Sequence, residues 1–162
     1  MDDFGNSQKK QAWISCLKLL AATPKTRREL DKRLIERGFD KEIVEETLNR
    51  LEEQGLLSDR AYASNLLQKY TEFQPSGRRK IAFEMKRRGV SPKLCEELLA
   101  KIDPEEELKK AREVAFSRWE KLKGISQEKR EKRVYDFLIR RGFDFQICRD
   151  LIDEFLESGS DA

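Results

Sequence analysis

Three windows of the chain share one spacing of apolar residues around a glycine. Gly38, Gly89 and Gly142 lie 51 and 53 residues apart. Leu34, Met85 or Leu138 stands one helical turn before the glycine, and Leu30, Ile81 or Val134 a turn earlier. Each glycine is preceded by Arg37, Arg88 or Arg141 and followed by Phe39, Val90 or Phe143. Then comes Asp40, Ser91 or Asp144, and a second apolar stripe begins. That stripe is Ile43, Val44, Thr47, Leu48 and Leu51 in the first window. It is Leu94, Cys95, Leu98, Leu99 and Ile102 in the second, and Ile147, Cys148, Leu151, Ile152 and Phe155 in the third. Both stripes have the period of an amphipathic helix. The glycine between them suits a left-handed helix end, and the polar residue after it suits a helix cap. Three copies of one unit follow.

Each copy begins with a less regular helix. The first offers Trp13, Cys16, Leu17 and Leu20 before Thr23-Pro24, and Thr26 with Glu29 forms a capping box for the next helix. The second offers Tyr62, Ala63, Leu66, Leu67 and Tyr70, capped by Ser58 or Asp59. The third starts at Asp103-Pro104, whose following glutamates suit a helix dipole, and runs through Leu108, Ala111, Val114, Ala115 and Trp119. No stretch alternates like a strand. The expected fold is all-α, with three tandem three-helix repeats over residues 10–57, 58–102 and 103–157 forming an elongated, bowed array. Residues 1–9 and the tail from Ser158 are expected to be unanchored.

Composition bounds the function. Charged residues make up 40% of the chain, but 34 basic and 31 acidic side chains nearly cancel, so distribution matters more than the sum. The second helix of each repeat is basic: residues 27–37 carry +2, residues 78–88 carry +5 and residues 128–141 carry +3. The third helices over 41–53, 92–102 and 145–157 carry −3, zero and −3. Half of all lysines and arginines (17 of 34) therefore lie on the second helices. This segregation argues against a helix-turn-helix repressor, whose last helix must approach phosphates. A basic second-helix surface fits a nucleic-acid backbone or an acidic protein groove. The competing expectation is that these cations pair with acidic third helices and hold the array together.

Catalytic equipment is absent from the pattern. The chain has no histidine, no phosphate-binding glycine loop and no metal-ligand spacing, so no enzyme, cofactor or metal is expected. Cys16, Cys95 and Cys148 are widely spaced and read as core thiols. Glu105, Glu106 and Glu107 point in different directions on a helix and complement its dipole rather than converge on an ion. Trp13 and Trp119 fall at core spacing; Tyr70 and Phe73, near Arg78-Arg79, are the better candidates for base stacking, although core packing is favoured for them too. No apolar run is long enough for a membrane helix, and the start lacks a signal peptide's features, so a cytoplasmic location without membrane contact is expected.

Finer motifs carry a resemblance. Leu57-Ser58-Asp59-Arg60-Ala61-Tyr62-Ala63 resembles the Leu-x-Asp-x-x-Phe/Tyr-Ala signature of the RecX regulatory proteins. The stretch from Gly77 to Val90 is similar to that family's Gly-x-x-x-Ile/Leu…Glu-Leu…Lys/Arg-Gly-Ile segment. Thr26-Arg27-Arg28-Glu29-Leu30 and Phe137-Leu138-Ile139-Arg140-Arg141-Gly142-Phe143 fit as well. Met85 replaces the usual leucine, and Thr23-Pro24 stands where the family tends to be basic.

The resemblance implies a cytoplasmic modulator of the RecA recombinase, active in homologous recombination, DNA repair and the SOS response. Such proteins bind in the groove of the RecA filament on single-stranded DNA and restrain its ATPase, strand-exchange and co-protease activities. The DNA itself would be contacted weakly. On that footing the filament-binding residues are expected on the second helices. Arg78, Arg79, Lys80, Lys86, Arg87 and Arg88 lead the set. Arg27, Arg28, Arg33 and Arg37 flank them on one side, and Lys129, Arg130, Arg133, Arg140 and Arg141 on the other. The alternative is a single-stranded nucleic-acid-binding protein that acts without RecA.

Overall fold

The computed structural model describes residues 2–160, and among these there are nine α-helices, one π-helical turn and no strand. Helices α1 (Asp2–Ala22), α2 (Arg27–Glu36) and α3 (Lys41–Glu53) make the first repeat. The second holds α4 (Asp59–Gln68), which runs on as the π-helical turn Lys69–Phe73, then α5 (Arg78–Arg88) and α6 (Pro92–Leu99). The third holds α7 (Pro104–Lys121), α8 (Gln127–Arg140) and α9 (Phe145–Ser160). The ends differ from expectation. Residues 2–9 belong to α1, with Lys9 Nζ 2.9 Å from Glu46, and α9 continues to Ser160. Met1, Asp161 and Ala162 lie outside the described residues.

Packing divides the described chain into two compact units. The first takes residues up to Ser64 together with Met85–Leu94, and the second takes Asn65–Glu84 with the residues from Cys95 onward. The second repeat contributes to both.

In the first unit Cys16, Leu30, Leu34, Val44, Leu48, Leu51 and Leu57 form one buried cluster, with Trp13, Leu19, Leu20 and Phe39 against it. The α1 stripe is rotated from the expected one: Ala12 is fully buried while Leu17 is 39% exposed. Ala12, Cys16 and Leu19 or Leu20 keep helical spacing and let α1 sit closer to its neighbours, which a leucine at position 12 would prevent. Thr26 caps α2 by accepting from the Glu29 N–H at 3.3 Å. Asp40 makes no side-chain cap. Only its carbonyl closes the first turn of α3, accepting from Val44 at 2.9 Å.

In the second unit the larger cluster joins Ala111, Ala115, Trp119, Val134, Leu138, Phe143, Cys148, Leu151, Ile152 and Phe155. Phe155 meets Phe116 edge-on and Trp119 at a tilt, with centroids 5.9 and 5.6 Å away. Asp103 and Asp144 cap α7 and α9 as the sequence predicts, through the N–H groups of Glu105 and Gln146. The π-helical turn was not predicted. Its wider loop is closed by the Gln74 N–H to the Lys69 carbonyl at 2.8 Å, and Lys110 donates to the Thr71 carbonyl. Tyr70 is buried there, but Phe73 is 75% exposed, against the packing role expected of it.

The glycine corner repeats in all three copies. Phe39, Val90 and Phe143 donate back to the carbonyls of Leu34, Met85 and Leu138 at 3.2, 3.0 and 3.2 Å. Gly38, Gly89 and Gly142 have φ of 86°, 90° and 82°, which a side chain would strain. The corner ends each second helix and turns the chain into the third helix.

Candidate functional site

The first arginine of the second helix is a structural clamp. In the second compact unit Arg78 Nε donates to Glu107 at 2.7 Å, and its terminal nitrogens donate to the Ile102 and Leu99 carbonyls at 2.6 and 3.3 Å. The Arg78 backbone N–H, an orphan of the helix start, donates to the same carboxylate at 3.0 Å. Arg27 repeats this in the first compact unit. Its guanidinium meets Glu52 at 3.0 Å and Asn49 at 2.9 Å, and its N–H donates to Asp59 at 2.8 Å. In both places a carboxylate from the next first helix caps α2 or α5, while the arginine binds the end of the third helix beside it. The third repeat has Glu131 at this register. Glu107, read as dipole complement alone, is therefore a specific partner.

Three more of the expected site residues make contacts within the fold, Arg88 while still exposed. Arg130 stacks 3.9 Å from the Trp119 ring and donates to the Trp119 carbonyl at 2.9 Å. Arg141 lies 5.2 Å from the Phe137 ring, and its carbonyl accepts from Gly77 at 2.8 Å. Arg88 gives its carbonyl to the Thr26 hydroxyl at 2.5 Å while its guanidinium lies 3.6 Å from Glu29. Lys80 is half-buried, 5.4 Å above the Tyr70 ring.

The remaining cations face outward. On α8 Lys129, Arg133 and Arg140 are exposed with Lys132, at a spacing of three, four or seven residues that makes one stripe opposite Val134 and Leu138. Among the described residues none of these four meets a carboxylate within salt-bridge distance, although Asp136 lies on the same stripe. On α2 Arg28, Arg33 and Arg37 are exposed, and Lys32 reaches Glu36 only at 4.0 Å. Arg33, Lys32, Lys25 and Arg88 line an open depression of about 550 Å³ with Glu29 and Glu36. On α5 Arg79 is exposed over the Phe145 ring at 4.5 Å, and Lys86 and Arg87 are exposed at its C-terminal end. Lys25, Lys32 and Lys132 were missed as individual candidates. For Lys32 and Lys132 the signal was their register, one helical turn from a cation that was chosen, whereas Lys25 lies in the loop before α2 and carried no such signal.

Among the described residues no group of three histidine, cysteine or acidic side chains could hold a metal ion. No helix among the described residues is long and apolar enough to cross a membrane. The thiols of Cys16, Cys95 and Cys148 are buried, and burial raises the pKa of all three, to about 11 for Cys16 and Cys148. Thiols held protonated in this way are poor nucleophiles.

Comparison with known proteins agrees with this architecture. The descriptions "RecX, first three-helix domain", "RecX, second three-helix domain" and "RecX, third three-helix domain" match residues 12–51, 58–99 and 105–152 in order. The chain belongs to the RecX family. Regulatory protein RecX of Streptomyces coelicolor is 32% identical over 148 residues, covering 91% of this chain and 79% of its own. That of Chlorobium limicola is 31% identical over 156 residues, covering 96% of each. A crystal structure of RecX from Lactobacillus salivarius has a TM-score of 0.80 at 18% identity, over 92% of this chain and 97% of that one. At that identity the likeness speaks for the fold. Within RecX architecture the three three-helix domains follow in tandem, and the family's name gives the role as regulatory.

Proposed function

We propose that this protein binds the RecA filament on single-stranded DNA in the cytoplasm and restrains its ATPase, strand-exchange and co-protease activities. The repeats 10–57, 58–102 and 103–157 act as linked weak binders, which suits a periodic target because effective concentration multiplies their affinities. The observation that carries the reading is the α8 stripe of Lys129, Lys132, Arg133 and Arg140, exposed and, among the described residues, without an acidic partner. Arg28, Arg33 and Arg37 on α2, and Arg79, Lys80, Lys86, Arg87 and Arg88 on α5, add to it. Arg27, Arg78, Arg130 and Arg141 support the surface from within and contribute less contact.

The test is inhibition of RecA ATPase on single-stranded DNA by a protein with Lys129→Glu, Lys132→Glu, Arg133→Glu and Arg140→Glu. These side chains are exposed, so the fold survives. Inhibition is expected to weaken at least about tenfold, because each reversed charge removes a favourable contact and adds a repulsive one. Undiminished inhibition by the folded variant would sink the assignment. Tight binding to naked single-stranded DNA with no effect on RecA would instead favour a nucleic-acid binder that needs no protein partner.

A further inference from the structure

Two aromatic rings in the second compact unit are left open to solvent beside an arginine. Phe83, on the outer face of α5, is 62% exposed, and Phe145, in the first turn of α9, is 52% exposed. Arg79 lies between them. Its guanidinium stacks 4.5 Å over the Phe145 ring, and on α5 it sits one turn before Phe83, on the same face. The arrangement is held rigidly: the Arg79 N–H donates to the Gly142 carbonyl at 3.2 Å, and the Gly77 N–H to the Arg141 carbonyl at 2.8 Å. The start of α5 is thereby fixed to the corner that begins α9.

Large exposed apolar rings cost solubility, and both stay open to solvent here although the Arg79 guanidinium covers part of Phe145. Two acids adjoin the rings in sequence: Glu84 beside Phe83, and Asp144 beside Phe145, whose carboxylate accepts from the Gln146 N–H at 2.9 Å. Arg149 is exposed one turn after Phe145. Flat apolar faces with cations between them suit a partner that is itself flat and apolar in parts and negatively charged between those parts. The exposed Phe116 makes a useful contrast: it packs on Phe155 in a groove bordered by Glu113, Glu120 and Glu154, the wrong sign for a polyanion.

We infer that Phe83 and Phe145, with Arg79 between them, form a base-stacking site for single-stranded nucleic acid. The bases lie on the open ring faces and the Arg79 guanidinium edge meets the phosphate. A duplex hides its base faces and would not use the rings. The inference deepens the function proposed above and rests on it for the presence of single-stranded DNA, but it assigns the base contact to two rings outside the cation set and shares only Arg79 with it.

The experiment measures binding of the full chain to a fluorescent thymidine oligonucleotide and to a duplex of the same length, over a range of salt. Phe83→Ala and Phe145→Ala are each expected to weaken single-strand binding about tenfold, in keeping with the loss of one stacked base. Duplex binding and the salt slope should stay unchanged, since no charge is removed. Phe83→Tyr should bind like the parent, and Phe116→Ala should have no effect. Both phenylalanines are exposed, so circular dichroism is expected to show folded variants. Parent-like binding by the two alanine variants overturns the site, as does an absence of oligonucleotide binding by the parent. Loss of RecA inhibition with unchanged oligonucleotide binding also overturns it, because the rings then meet protein. The α8 charge-reversed protein tests the wider reading separately: if it fails to inhibit while the alanine variants bind normally, only the stacking site falls.

Discussion

A Cβ on Gly77 would lie 2.2 Å from the carbonyl oxygen of Gly142. Two backbones meet there with no side chain between them, and two hydrogen bonds, from Gly77 to Arg141 and from Arg79 to Gly142, fasten the contact. The first compact unit repeats the junction with different chemistry. Thr26 occupies the register of Gly77, and its buried hydroxyl reaches the Arg88 carbonyl, the counterpart of Arg141. The start of one second helix is thus set against the glycine corner of the next repeat, twice, once through a glycine and once through a threonine.

The corner glycines should therefore differ in their tolerance of alanine although their φ angles are nearly equal. Gly38→Ala meets no atom within 4 Å and is expected to cost about 1–2 kcal/mol, from left-handed strain alone. Gly89→Ala meets Arg28 Cδ at 2.5 Å, which can shift, and Arg28 Cβ at 2.7 Å, which is tied to the backbone, so its cost should lie between those of Gly38→Ala and Gly142→Ala. Gly142→Ala meets the Lys80 backbone nitrogen at 2.3 Å and should cost about 3 kcal/mol or more. Gly77→Ala, with no positive φ, isolates the clash and should also cost about 3 kcal/mol. Urea denaturation ranks the four. Equal losses at Gly38 and Gly142 would remove the junction's energetic role.

The Arg78–Glu107 contact predicts strong coupling. Glu107 is 9% exposed at its side chain and accepts from both the Arg78 backbone and its guanidinium. Glu107→Gln weakens the charged bond and the cap together and should cost about 2 kcal/mol, with Arg78→Gln similar. The double variant should cost less than the sum by about 1 kcal/mol or more, since each single change already breaks the shared contact. Additive losses would mean the two residues act apart.

The comparison with the sequence follows the same line between local and distant contacts. The repeat, the glycine corners and the third-helix stripes were legible because a 3.6-residue period and a left-handed turn leave marks within one window. The stripe of α3 is buried throughout, at Ile43, Val44, Thr47, Leu48 and Leu51. Which cations face outward was not legible. Arg78 and Arg79 are adjacent and chemically alike, yet one is held by Glu107 from 29 residues away while the other lies open over Phe145. A charge count cannot separate them. Phe73 was misread for a related reason, because the π-helical turn widens the helix and takes the ring off the expected face.

Burial of the cysteines gives a pH-dependent prediction. The folded Cys16 and Cys148 thiols titrate near pH 11, above the ordinary thiol value of 9.0, so the folded state holds its protons longer than the unfolded chain. Their contribution to stability is complete below pH 9 and is lost as pH rises from there through about 11. Urea midpoints measured over that range should fall less steeply in a Cys16→Ala, Cys148→Ala protein than in the parent, whatever the baseline cost of the substitutions. Iodoacetamide at pH 8 should label the native thiols far more slowly than the unfolded ones. Rapid native labelling of Cys16 or Cys148 would contradict their burial.

Arg130 and Arg133 offer the sharpest separation of support from contact, since they lie three residues apart on α8. Arg130 packs on Trp119 and donates to its carbonyl, with only 17% of its side chain exposed. Arg130→Gln should therefore lower stability by about 1–2 kcal/mol, through loss of the stacking and of a hydrogen bond to a buried carbonyl. Its effect on the salt dependence of binding should be small. Arg133 is exposed on the stripe with Lys129, Lys132 and Arg140. Arg133→Gln should leave stability within about 0.5 kcal/mol of the parent and reduce the salt slope of single-stranded DNA binding by about one. Thermal melts and anisotropy titrations at several salt concentrations read both quantities on the same samples. If the two variants shift stability and salt slope alike, the division of the basic helices into inner supports and outer contacts is wrong, and with it the choice of α8 as the contact surface.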